Sequence, residues 1–404
     1  MSKMALEGIR IADFSWVWAG PYCTTLLGFF GAEVIKIESM QRPDQTRKGS
    51  IMNGDTFEGV NSSPTFNNAN LNKKGVSIDI TTEEGQEIAR RLVAQCDVVV
   101  ANMRPGKMNK LHLGYEDFKK VKPDIIMLES TGFGVTGPYK HFAGFAPIFA
   151  SMGGLANLTG YTDGAPNPMS GVQDLRAGTQ AAFAILAALY HRNKTGEGQY
   201  IDCSSSECVS TLVGNELMEY TMNGRSLMRT GNTDPVMAPH NVYRCKGDDK
   251  WVSIAVGTEE EWQSLVHVLG DPDWAKDEKF ADMYARHEHA AELDAHIAEW
   301  TIHLTHYDVM MKLQAAGVAA MPSFCATEIL EDPHTIARDL FTTVEHPLLK
   351  TQHVMNPAWK LSETPGTIRK PGPVLGEDNV EVFTSLLGMT EAEVKDLEAR
   401  KILY

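Results

Sequence analysis

An apolar run at positions 8–14 (GIRIADF) predicts a buried strand, and a second at 33–38 (EVIKIE) predicts another. Between them lie a small-residue loop, Ser15 to Pro21, and an apolar stretch from Tyr22 to Phe30 that reads as a helix stopped by Gly31. Strand, loop, helix and strand form a βαβ unit, whose crossover makes the strands parallel. The pattern recurs. Residues 76–80 (VSIDI) predict a strand, and Thr82-Glu-Glu opens a helix, acidic in its first turn, that runs to about Gln95. A strand at 97–101 (DVVVA), a short helix after Gly106 and a strand at 124–129 (DIIMLE) follow, then the glycine-rich turn 131–138 (TGFGVTGP). These alternations predict an α/β domain on a parallel sheet. Ligands of such sheets gather beyond the carboxyl ends of the strands, which makes Trp16 to Pro21 a candidate site. No G-x-G-x-x-G follows the first strand, so binding of a nicotinamide dinucleotide is excluded.

The stretch 168–190 stands apart. Thr179 to Tyr190 is Ala-rich and free of Gly and Pro, which predicts a buried helix, whereas Pro168 to Gly178 has loop chemistry. Asp174 then falls just before the first helical turn. A short carboxylate there can cap free backbone N–H groups, and the same position suits a nucleophile. Further on, 199–203 predicts a strand and Cys208 to Met222 a helix. Residues 223–243 are loop-rich. A strand at 251–256, a helix at 259–270, a polar helical region over about 272–315 and a strand near Pro322 follow. The expected organisation is a large α/β domain, 1–225 completed by 331–404, and a smaller α+β domain, 226–330.

Charge narrows the partners. The 404 residues carry 37 basic and 52 acidic side chains, a net charge of −15, without a long basic run. Nucleic acid and anionic membranes are therefore poor partners, and a polyanionic ligand must be held by locally placed cations and helix N-termini. The six cysteines are scattered without metal-ligand spacing, and His287/His289 and His303/His306 lie in polar helical sequence, so no metal site is expected. The N-terminal residues have no signal-peptide character and no run is long enough to span a bilayer; a cytoplasmic protein with free thiols is expected.

The order of several short segments resembles the class III CoA-transferase family, which includes formyl-CoA and carnitine CoA-transferases and alpha-methylacyl-CoA racemases. The matching residues are 8–14, Ala19-Gly-Pro21, 31–38 (GAEVIKIE), 44–47 (DQTR), Asn72-Lys-Lys74 and 102–106 (NMRPG). They continue with Leu113-Gly-Tyr115, 132–139 (GFGVTGPY), 195–199 (TGEGQ) and 317–322 (GVAAMP). The resemblance implies a Rossmann-like domain and a small domain joined by two linkers, in two chains threaded as interlocked rings, either a homodimer or a heterodimer with a homologous chain. It places the family's catalytic aspartate at Asp174. It implies acyl-CoA and a free organic acid as substrates, with no permanently bound cofactor and no metal, and a route through mixed anhydrides and an aspartyl-CoA thioester. It assigns Lys73, Lys74, Asn102, Met103, Arg104 and Lys110 to coenzyme A, and it puts Ser39 where formyl-CoA transferases carry an adenine-stacking arginine.

Three departures bear on the substrate. Trp18 replaces the glutamine that precedes Ala-Gly-Pro in formyl-CoA transferases, Phe145-Ala146 replaces an aromatic residue followed by glutamate, and Gly231-Asn-Thr-Asp-Pro235 stands where those enzymes carry a glycine loop. Formate and oxalate are thus disfavoured. Trp16, Trp18, Ala19 and Phe145 are expected to line the substrate pocket, with Arg47 or Arg176 holding a second carboxylate bidentately. The expected activity is CoA transfer from an acyl-CoA, succinyl-CoA above all, to a bulky acid, aryl-substituted in its boldest form, such as a benzylsuccinate-type acid. Two alternatives stay open. One is an alpha-methylacyl-CoA racemase, although the histidine that branch needs is missing from 143–147. The other is a non-catalytic subunit of a heteromeric CoA-transferase.

Overall fold

The computed structural model describes residues 4–49, 57–169 and 171–404. Its central feature is a six-stranded, all-parallel sheet of β1 (Arg10–Asp13), β2 (Glu33–Glu38), β3 (Lys73–Ser77), β4 (Val98–Ala101), β5 (Ile126–Thr131) and β6 (Tyr200–Ser204). The order is β3-β2-β1-β4-β5-β6, so the direction of winding reverses between β1 and β4. Both faces of the sheet are covered, which explains why its strands read as continuous apolar runs. In β4, Val98 and Val100 join one buried cluster with Ile11, Val34 and Leu128, while Val99 and Ala101 join another with Ala12, Ile35 and Met127. Successive side chains of a strand point to opposite faces, and each face has its own core.

Helix α1 (Ala19–Phe29) and the long helix Val172–Thr195 cover the first face. Glu83–Val93 and the C-terminal helices Asn379–Leu387 and Glu391–Ala399 cover the second. The long helix begins seven residues earlier than the sequence pattern predicts. Gly171, with φ +97°, precedes it, and Asp174 lies inside its first turn without any side-chain cap. The expected N-cap role of Asp174 is therefore corrected. Gly178 is not the end of a loop but an interior helical residue. A Cβ there would sit 2.6 Å from the Ala19 carbonyl oxygen, so the missing side chain lets the long helix press against the start of α1.

The chain divides into two compact units. The first holds the described residues up to Ala156, together with Pro168–Ser226 and His334–Tyr404; the second holds Asn157–Asn167 and Leu227–Pro333. The second carries an antiparallel sheet of β7 (His240–Arg244), β8 (Trp251–Ala255) and β9 (Ala319–Pro322), packed around Trp262, Leu293, Ile297 and Leu313. Asn157–Asn167 belongs to this unit, tied by the Gly231 N–H to the Gly160 carbonyl at 2.9 Å. The hairpin β10 (Phe341–His346) and β11 (Lys350–Met355) lies in the first unit. Among the described residues no helix is long and apolar enough to cross a membrane.

Candidate active site

A cavity of about 540 Å³ opens at the carboxyl ends of the parallel strands, within the first unit. This is where a sheet of this order is expected to bind ligands, at the point where its winding reverses. The loop after β1 forms its inner wall and is held from below by buried charge. Asp13 accepts hydrogen bonds from the Ser15 N–H (2.9 Å), the Ser15 and Thr24 hydroxyls, and the Lys73 ammonium (2.9 Å). Burial opposes ionisation of Asp13, but Lys73, Lys36 and the two hydroxyls overcome it and hold the carboxyl at about 2. Asp44 accepts the Val17 N–H at 3.0 and 3.2 Å and the Lys36 ammonium at 3.1 Å. Asn102 accepts the Trp16 N–H at 2.7 Å and donates to the Trp16 carbonyl at 2.6 Å. Between these anchors Val17 adopts φ +68°, a conformation that β-branched residues rarely take. Such strain costs about 1–3 kcal/mol and persists only where neighbours over-determine it, as they do here.

Asp174 lines the same cavity. Among the described residues its carboxylate has no hydrogen-bond or ion-pair partner, and burial alone pushes it up to about 6. A carboxylate so placed is largely ionised at neutral pH yet poorly solvated, the state in which it is most ready to attack a carbonyl carbon. Cations gather toward the ends of β2 and β4: Arg42, Arg104 and Lys107 line the cavity, and the Arg42 guanidinium lies 4.9 Å from the Trp16 ring centroid. Among the described residues none of the three is paired with a carboxylate. The β5 side is aromatic. Phe133 packs edge-on against Phe149 (5.4 Å) and Phe142 (6.2 Å), and Phe145 lines the cavity beside them.

The structure thus brings together Asp174, Trp16, Trp18, Ala19, Asn102, Met103, Arg104 and Phe145. The other sequence-expected site residues lie elsewhere. Lys73 is fully buried and bonded to Asp13, the Pro21 carbonyl and Asn70. Lys74 pairs with Glu33 and Glu381, both at 2.8 Å. Both lysines begin β3, whereas the segment after that strand, Ile78 to Thr81, reaches the cavity. Arg47 is 1 % exposed and bonded to Glu38, Asn61 and the Pro373 carbonyl. Arg176 donates to the Thr211 hydroxyl at 2.9 Å, and Lys110 stays exposed one turn beyond Lys107. Their cationic groups do not border the cavity. Sequence reasoning missed Arg42, Lys107, Lys140 and Thr131, all of which line it. The strand-end rule that singled out Trp16 would have found Arg42 and Thr131 had it been applied after β2 and β5.

A model of CoA-transferase family III matches residues 6–379. The chain is 37% identical to the succinyl-CoA–D-citramalate CoA-transferase of Chloroflexus aurantiacus, with 98% of each chain covered. It is 34% identical to the beta subunit of the succinyl-CoA–L-malate CoA-transferase of that organism, over 100% of this chain and 99% of the other. Among solved structures, a CAIB/BAIF family protein from Brucella suis matches with a TM-score of 0.87 and 32% identity, over 96% of this chain and all of that one.

Proposed function

The chain belongs to CoA-transferase family III, and we propose that it moves CoA from succinyl-CoA to a short dicarboxylic acid with Asp174 as the nucleophile. The observation that carries this reading is the Asp174 carboxylate, partnerless among the described residues and desolvated in a cavity that unpaired cations also line. Asp174 attacks the thioester carbonyl, giving a mixed anhydride and CoA thiolate. The thiolate attacks the aspartyl carbonyl of that anhydride and releases the donor acid, leaving an aspartyl-CoA thioester. The acceptor carboxylate attacks this thioester, forming a second anhydride and freeing the thiolate again. Return of the thiolate to the acceptor's carbonyl yields the new acyl-CoA and restores Asp174. Each step exchanges one activated acyl group for another, so the sequence balances without ATP.

Arg42, Arg104 and Lys107 suit the phosphates of CoA, and the loop from Trp16 to Ala19 suits the reacting end. The relatives named for citramalate and malate support a short dicarboxylic acceptor. They do not support the bulky, aryl-substituted acid that Trp16, Trp18 and Phe145 suggest from sequence. These rings instead cover the acyl chain and exclude water from the anhydride. The working form is a dimer, with a second copy or a homologous chain. The test is a CoA-exchange screen of succinyl-CoA against free acids, read by mass spectrometry, with hydroxylamine trapping of the activated aspartate. Hydroxamate confined to the peptide containing Asp174 supports the reading; exchange undiminished in Asp174→Asn overturns it.

A further inference from the structure

Asp44 has no exposed surface, so its part in the site is played through its neighbours. Besides the Val17 N–H and the Lys36 ammonium, its carboxylate accepts the Thr46 N–H at 2.9 Å and the Thr46 hydroxyl at 2.8 Å. Its own N–H donates to Glu38 at 3.0 Å. These contacts fix the acceptor in place, and the Val17 N–H is drawn to a rigid point that holds φ at +68°. Without that pull a β-branched residue returns to negative φ, which swings the peptide planes on either side of Val17. Trp16, Trp18 and Ala19 on those planes line one cavity with Asp174. The same loop also meets the helix of the nucleophile. A Cβ on Gly178 would lie 2.6 Å from the Ala19 carbonyl oxygen, and Gly178 is one turn from Asp174 on one helix face. A rotation at Val17 therefore changes the space between the wall and Asp174. Arg104 and Lys107, which suit the phosphates, follow β4 and do not share this loop.

We propose that Asp44 is a positioning residue for CoA exchange: by accepting the Val17 N–H it holds the Trp16–Ala19 wall against Asp174. This rests on the transferase reading and extends it beneath the surface of the cavity. Lys36 needs the charge of Asp44, whereas Val17 needs only an oxygen in the right place. Stability and turnover thus answer to different features of one side chain. Stability follows the charge, and kcat follows the acceptor.

Asp44→Asn keeps an oxygen and removes the charge; Asp44→Ala removes both. Each is made alone and together with Lys36→Met, so that no buried ammonium is stranded where a single variant fails to fold. Arg192→Met, which breaks a 2.9 Å pair with Asp97 at the far end of the long helix, is the control for lost stability alone. The kcat and KM of CoA exchange, CoA affinity by calorimetry and urea unfolding are measured for all of them. Asp44→Ala is expected to lower kcat about 10- to 100-fold, what one hydrogen bond to a charged group contributes, and CoA affinity less than about 2-fold. Asp44→Asn loses stability as Asp44→Ala does but stays within about 3-fold of the wild-type kcat. Arg192→Met keeps kcat. Incorporated 5-fluorotryptophan reads the wall without turnover: the fluorine NMR signals of Trp16 and Trp18 split or broaden in Asp44→Ala and stay single in Asp44→Asn. Equal kcat in the Asn and Ala variants, a parallel loss of CoA affinity, a fall of kcat in Arg192→Met, or unmoved tryptophan signals would overturn the proposal. If wild type exchanges no CoA while the tryptophan signals behave as expected, the transferase reading fails and the hold of Asp44 on the wall stands.

Discussion

The Lys73 ammonium lies 2.9 Å from the Asp13 carboxylate, and neither side chain has any exposed surface. Burial pulls the lysine down to about 8 against the pull of Asp13, and both groups are charged at neutral pH. Removing one member of a buried pair strands the other. Lys73→Met is therefore expected to destabilise the fold by about 3–5 kcal/mol. Lys74→Met, which breaks two half-exposed pairs, should cost no more than about 1 kcal/mol. Urea unfolding of the two variants checks this; equal stabilities would contradict the structural role of Lys73.

Asp174 sets a pH dependence with two signs. Its folded-state value of about 6 lies above the ordinary carboxylate value of 3.8 because of burial. Attack requires the ionised form, so kcat/KM should fall toward tenfold per pH unit below about 6. Stability runs the other way. Between these two values the folded state binds the proton more tightly, so the cost of burying the charge is present above pH 6 and disappears as pH falls below 4. Asp174→Asn should accordingly raise the melting temperature at pH 7.5, with the gain vanishing near pH 4, while exchange drops by at least about 1000-fold. A variant less stable than wild type at pH 7.5 would show that the carboxylate has a structural partner.

Arg42 and Lys107 are expected to hold phosphates, far from the bond that changes. Such contacts act equally on ground and transition states. Arg42→Ala and Lys107→Ala should each raise the KM for acyl-CoA about 10-fold with kcat nearly unchanged, and the wild-type KM should rise with salt. A fall in kcat at constant KM would place these cations at the reacting end instead.

Phe183 is 73 % exposed and Tyr190, seven residues on along the same helix, is 63 % exposed. Rings this open on a long helix suit burial by a second chain. Mass photometry at nanomolar concentration should find dimers and no folded monomer; a monomer with native circular dichroism would refute the obligate pair.

Much of the architecture was legible in the chain. The run 97–101 (DVVVA) reads as a strand, and the alternation of such runs with helices implied a parallel sheet whose strand ends carry the site. Asp174, Trp16, Trp18, Asn102 and Phe145 were each identifiable as candidates, by motif resemblance or by strand-end position. The start of the long helix was not, because Gly178 reads as a breaker until its close contact with Ala19 is known. Which cations face the ligand was likewise hidden. Lys73 and Arg47 look like ligand-binding residues in sequence, but the register of β3 beside β2 and the 3-10 turn after Asp44 aim them at Asp13 and Glu38. Sequence determines that a lysine is charged and which strand it begins. Whether that charge meets a carboxylate or an open cavity depends on a neighbouring strand distant in the chain, and only the tertiary structure decides it.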